Sequence, residues 1–119
     1  MPKYVMLIVE KESAYAEAGE AGFAESMVQH NAFAAEVTAN GGSILGGEAL
    51  QPTATASYLR GTRTADVHTV DNPMPEVKEV IGGYYLVEAA DDAAALELAK
   101  LCPAPYGYIE IRPIWEFNS

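Results

Sequence analysis

The order of apolar runs in this chain predicts an α+β fold. It is a ferredoxin-like βαβ-βαβ sandwich with an extra β-hairpin, which two copies complete as a dimeric α/β barrel. Three observations carry that expectation. KYVMLIV (3–9) and VIGGYYLVEA (80–89) are apolar on both strand faces, so each needs cover on both sides. A helical stretch with an apolar stripe follows each of them. A β-rich run with a turn at its centre stands between the two halves. Both helices then lie on one face of the sheet, and the other apolar face is left bare. A bare apolar face of roughly several hundred Å² marks an interface, and a second copy packing sheet on sheet makes the barrel.

In the first strand Tyr4, Met6 and Ile8 face one way, and Val5, Leu7 and Val9 the other. The helix that follows is interrupted by a loop around Gly19 and Gly22. Its strong part starts near Phe23 and stops at Asn40-Gly41-Gly42, a C-cap signal. At about 100° per residue, Phe23, Met27, His30, Phe33, Ala34 and Val37 share one stripe, with His30 in its middle. SILGGEAL (43–50) reads as a strand whose glycine pair makes a bulge. TATASYLRG and TADVHTV form a hairpin around Gly61 to Arg63. After the tyrosine-rich strand, Asp91 or Asp92 caps a second helix striped by Ala94, Ala95, Leu98, Leu101 and Cys102. Pro103 and Pro105 end it. The last strand, GYIEIRPIWEF, turns Ile109 and Ile111 one way and Tyr108, Glu110 and Arg112 the other.

The length of 119 residues suits one domain spanning residues 1–119. Seventeen acidic residues against seven basic ones give a net charge of −10. Phosphate neutralisation needs a basic surface, so nucleic acid is excluded as a partner, and an anionic membrane for the same reason. The apolar run YVMLIV is only six residues, too short for a secretory leader or a membrane span. The single cysteine, Cys102, rules out an internal disulfide and suits the cytoplasm. Two scattered histidines offer no metal-ligand spacing. No phosphate loop, nucleophile elbow or dinucleotide fingerprint is present, so the expectation is no cofactor and no metal.

The combination of KYVMLI, the His and Phe of HNAF, GGEAL, the TAT before the hairpin, KEVIGGYYLVEA, CPAPYGYIEIRPI and WEF resembles the YCII-related proteins. Within them it is similar to the subgroup named for an Asp-Gly-Pro-Phe motif. The resemblance implies a dimeric α/β barrel, and members are often encoded beside extracytoplasmic-function sigma factors. Asp71-Asn72-Pro73-Met74 occupies the motif's place, with Val70 where the family usually has Thr. Asp71 is expected to start a turn in which Pro73 fixes φ and Asn72 tolerates positive φ. The pair Gly82-Gly83 is expected to let the next strand run close to a neighbouring backbone.

For chemistry, His30 leads. An imidazole buried among apolar side chains can move protons near neutral pH. The plain alternative is a core histidine bonded to a backbone carbonyl or a tyrosine hydroxyl. Other YCII-like proteins pair a helix histidine with an aspartate; the histidine carries over to His30, while the aspartate's place falls on Cys102. Asp71 is the candidate replacement, against its plain use as a turn former. Tyr84 and Tyr85 are the expected ligand-lining residues. Glu110 and Arg112 would contact a polar small molecule or simply pair with each other. Cys102 reads as a small hydrophobe, and His68 has no visible partner. Two functions follow: an acid/base site for a small organic ligand beside His30, or a non-catalytic metabolite-binding or regulatory module linked to an extracytoplasmic-function sigma factor.

The charge balance sets the first test. Titration against duplex DNA at physiological salt should show no binding near the ~10⁻⁸ M of a specific reader; affinity at that level would contradict the argument.

Overall fold

The computed structural model describes residues 1–61, 63, 66–76 and 78–117. The elements are β1 (Lys3–Lys11), α1 (Glu12–Ala39), β2 (Ser43–Ala49), β3 (Tyr58–Arg60), β4 (His68–Val70), β5 (Glu79–Glu88), α2 (Asp92–Ala99) and β6 (Gly107–Pro113). The fold is mixed α+β. Strands β2, β5, β1 and β6 form one antiparallel sheet in that order, and β3 and β4 form a separate ribbon. The sheet is open, with β2 and β6 at its edges, so a single chain closes no barrel.

Strand alternation sorts β1 into two faces. Tyr4, Met6 and Ile8 are buried under the helices in one cluster with Phe33 and Val37 of α1, Val87 of β5, and Ala95 and Leu98 of α2. Ile109 and Ile111 border that cluster, as their spacing predicts. On the other face Val5 lies opposite Leu86 and Arg112, and Leu7 opposite Tyr84 and Glu110. Val5, Leu7, Tyr84 and Leu86 stay partly exposed there, because both helices cover the first face.

Helix α1 begins at Glu12, well before Phe23, and is broken at Gly19, whose φ of 64° and ψ of −154° lie outside helical space. A residue with a Cβ would be strained at that positive φ. At the helix start both carboxylate oxygens of Glu12 accept hydrogen bonds from Thr53, 41 residues away, at 2.5 Å from its N–H and 2.7 Å from its hydroxyl. Thr53–Thr55 accordingly forms a 3-10 turn, not the first part of a strand. The buried line of α1 also sits differently from the predicted stripe. It runs Ser26, His30, Phe33, Val37, while Phe23 and Met27 are 64% and 45% exposed. Spacings of four, three and four keep that line on one face, and a buried serine is invisible to a pattern built on apolar residues. The C-terminus is the expected cap: Gly42 N–H reaches the Val37 carbonyl at 3.0 Å and Gly41 N–H the Thr38 carbonyl at 3.2 Å, the Schellman pairing.

β2 carries a bulge, but the register shift between Ile44 and Gly46 makes Leu45 its extra residue, just before the glycine pair expected to form it. A second shift lies between Ile8 and Val9, which face Gly83 and Ile81, so Gly82 is the extra residue. The close approach belongs to Gly83, where a Cβ would sit 3.0 Å from the Glu48 carbonyl oxygen. Asp91 is the cap of α2, accepting from Ala94 N–H at 2.8 Å. The neighbouring Asp92 accepts from the Tyr4 hydroxyl at 2.6 Å and pushes that phenol's pKa up to about 12. The β3–β4 ribbon turns through Gly61 and Arg63, both at positive φ. Thr62, Thr64 and Ala65 of that turn, and Val77 before β5, lie outside the described residues.

Phe33 is 1% exposed at the centre of the core. Phe33→Ala should cost about 3–5 kcal/mol, read as a lowered urea midpoint with an unchanged slope.

Candidate functional site

The alternation that sends Tyr4, Met6 and Ile8 under the helices sends Glu10 there as well. Its side chain is only 5% exposed, and burying a carboxylate requires donors. Tyr15, in the first segment of α1, donates its hydroxyl to Oε1 at 2.6 Å. The backbone N–H of Tyr106, just before β6, donates to Oε2 at 2.9 Å. The carbonyl of Tyr106 accepts from Lys11 N–H at 3.2 Å, and its ring meets that of Tyr15 edge-on at 4.9 Å. Burial and then the bond to Glu10 push the Tyr15 phenol up to about 12, with Ser26 opposing through its own hydrogen bond.

His30 lies farther along α1 and reaches β5. Its Nδ1 is 2.7 Å from the Tyr85 hydroxyl, and Phe33 packs against the same tyrosine ring at 4.9 Å. Partial burial lowers the imidazole pKa, while the Glu10 charge acts in the opposite sense. Burial raises the Tyr85 phenol, so near neutrality both groups are uncharged. With the ring proton on Nδ1, the imidazole donates to the Tyr85 hydroxyl oxygen, and Nε2, which has no hydrogen-bond partner among the described residues, presents its lone pair.

Cys102 completes the cluster from the end of the α2 segment. It is buried, and burial followed by the Glu10 charge pushes its thiol up to about 12. At that value it stays a thiol near neutral pH.

The residues singled out from sequence divide between places. His30 and Tyr85 are in contact. Tyr84 lies on the opposite, helix-free face, across from Leu7 and Glu48. Glu110 and Arg112 share that face and form an ion pair with each other. Asp71 is exposed in the loop before β5, and no hydrogen bond among the described residues joins it to His30. The turn there is held by Asn72, not Asp71: Asn72 Oδ1 accepts from Met74 N–H at 2.8 Å. Asn72 needs no positive φ to do so. His68 Nδ1 approaches the Asp66 carbonyl at 3.2 Å on the exposed ribbon.

Glu10 and Tyr15 fall outside the sequence expectations because the apolar run of the first strand ends at Val9. The signal was present: continuing the alternation by one step from Ile8 puts a carboxylate on the core face. Two open clefts lie elsewhere. One is between the chain's N-terminal residues, the start of α2 and Trp115; the other is between Gln29, Glu36 and Cys102. Among the described residues no group of three or more His, Cys, Asp or Glu is placed to hold a metal ion. No helix among them is long and apolar enough to cross a membrane.

The YCII-related domain family matches the chain over residues 2–118, and the chain belongs to that family. No curated protein matches it.

The depressed His30 pKa has a sign that can be measured. Below about 6.5 the unfolded chain takes up a proton that the folded ring refuses, so this group's contribution falls as pH drops from there towards the lower folded value. His30→Gln should flatten that part of the Tm-against-pH curve between pH 7 and pH 5. An unaltered slope would show that the ring is not desolvated.

Proposed function

We propose that this YCII-related protein is a cofactor-free homodimer that binds a small organic molecule beside His30 and exchanges a proton with it. The observation that carries the reading is the His30–Tyr85 pair. A partly buried imidazole is oriented through Nδ1 at 2.7 Å, leaving Nε2 to meet a ligand. An oriented, uncharged imidazole with a buried carboxylate within electrostatic reach has the parts of an acid/base site. Tyr85 is the lining tyrosine from the sheet, and Asp71 has no part in it unless its loop moves.

The strand order reads as ferredoxin-like. The helix-free face, with Val5, Leu7, Tyr84 and Leu86 around the Glu110–Arg112 ion pair, is the surface we assign to the second copy, giving the dimeric α/β barrel. The Asp-Gly-Pro-Phe subgroup and a cytoplasmic location belong to the same reading. The non-catalytic alternative, a metabolite-binding or regulatory module linked to an extracytoplasmic-function sigma factor, draws support from Cys102. A thiol held protonated stands where YCII-like proteins carry the aspartate of their dyad.

Light scattering at micromolar concentration should give twice the chain mass, and Val5→Glu should lower it to one chain or unfold the protein. A stable monomer in the parent chain would end the dimer reading. In a fragment screen followed by ¹H–¹⁵N spectra, binders should perturb the His30 and Tyr85 signals. His30→Gln should keep the dimer and lose that binding at least tenfold, about 1.4 kcal/mol. Binding that survives the substitution would move the site elsewhere.

A further inference from the structure

We infer that the second copy docks on the helix-free sheet face in one orientation, with β2 of one protomer beside β6 of its partner and Glu48 paired with the partner's Arg112 across that seam. This rests on the homodimer proposed above and adds how the two sheets meet.

The strand register lays that face out, because directly opposed residues in an antiparallel sheet share a side. The apolar strip of Val5, Leu7, Tyr84 and Leu86 continues through Val9 to Ile81 and Tyr108, which are 46% and 51% exposed. Each end of the strip is closed by opposed charges, Lys3 across from Glu88 and Lys11 across from Glu79. The β6 edge carries Glu110 and Arg112, and the β2 edge carries Glu48 across from Tyr84. An apolar centre inside a charged rim is the layout of a protein–protein interface.

The rim also selects the partner. It holds three of the chain's seven cations, Lys3, Lys11 and Arg112, and only four of its seventeen acids, Glu48, Glu79, Glu88 and Glu110. This face is therefore within one charge of neutral, on a chain whose net charge is −10. A strongly basic or acidic partner meets no matching field here. A second copy meets the same balanced set of charges, each sign with its opposite to find.

A twofold axis between two stacked sheets runs either across the strands or along them. Across them, β2 meets the partner's β2, and that seam holds Glu48 twice. It holds no cation, since Ser43–Ala49 contains none. Along them, β2 meets the partner's β6 at two identical seams, and each Glu48 faces a Glu110–Arg112 pair. Arg112 has donors to spare for it. A guanidinium carries five N–H groups in a planar fork, and the Arg112 side chain is 68% exposed even while it engages Glu110. One arginine then bridges a carboxylate of its own chain and one of its partner's. The same step covers β2 and β6, the two open edges of the sheet.

Light scattering comes first: a monomeric parent chain ends the dimer reading and this inference with it. In the dimer, Glu48→Cys and Arg112→Cys, singly and together, are treated with a short bismaleimide and run on a denaturing gel. The native Cys102 is buried, and the parent chain is the blank. The double variant should give a band of two chains, and neither single variant should. A two-chain band from Glu48→Cys alone, or none from the double variant, overturns the orientation and leaves the dimer standing. The pairing itself is read from dissociation on dilution. Glu48→Gln and Arg112→Gln should each raise the dimer Kd about threefold, the scale of an exposed ion pair. Together they should raise it no further than Arg112→Gln alone. An unchanged or lower Kd for Glu48→Gln, or effects that simply multiply, overturns the pairing. Both residues are exposed in the single chain, so these variants keep its fold.

Discussion

The side chain of one buried acid, Glu10, draws together the end of β1, the start of α1 and the turn before β6. Glu10 is 5% exposed, and its burial demands donors from two other segments. Tyr15 must come over from the first part of α1, and the Tyr106 N–H must come up from the turn before β6. Losing either would leave a lone pair unmet at about 1–3 kcal/mol. The break at Gly19 falls between Tyr15 and His30, which the two parts of α1 carry to different partners. The Glu10 side chain also ties the start of β6 to the end of β1, where the two strands pair Glu10 with Gly107.

The second constraint is that both helices cover one face of the sheet. The two faces therefore host different chemistry. Under the helices the polar groups are an acid, an imidazole, phenols, a serine hydroxyl and a thiol, and no Lys or Arg is buried there among the described residues. On the helix-free face Tyr84 and the Glu110–Arg112 pair sit among Val5, Leu7 and Leu86. Adjacent tyrosines in one strand thus serve different surfaces: Tyr85 holds His30, and Tyr84 belongs to the face assigned to a second copy.

In the loop before β5 the side chain of Asn72 accepts the Met74 N–H and closes the turn. Asp71 is left exposed beside it.

Much of the fold was legible in the sequence, because it rests on periodicity and local rules. The two-faced alternation of β1 and β5, the Asn40-Gly41-Gly42 stop, the Asp91 cap and the inward Ile109 and Ile111 all follow from short-range chemistry. His30 was legible as a polar residue on the buried side of a helix. Tertiary structure alone decided who meets it. Tyr85 and Tyr84 are indistinguishable as residue types, and only the β1–β5 register puts the former under the helix. The Glu10–Tyr106 contact spans 96 residues, and no local rule reaches that far. Ser26 is buried and Phe23 exposed, a choice made by how α1 packs on the sheet and one that hydrophobicity by itself would reverse. Thr53 formed a turn because Glu12 offered two acceptors from across the fold. Propensity chooses elements one at a time, whereas the site is made by residues whose only relation is that the sheet brings them together.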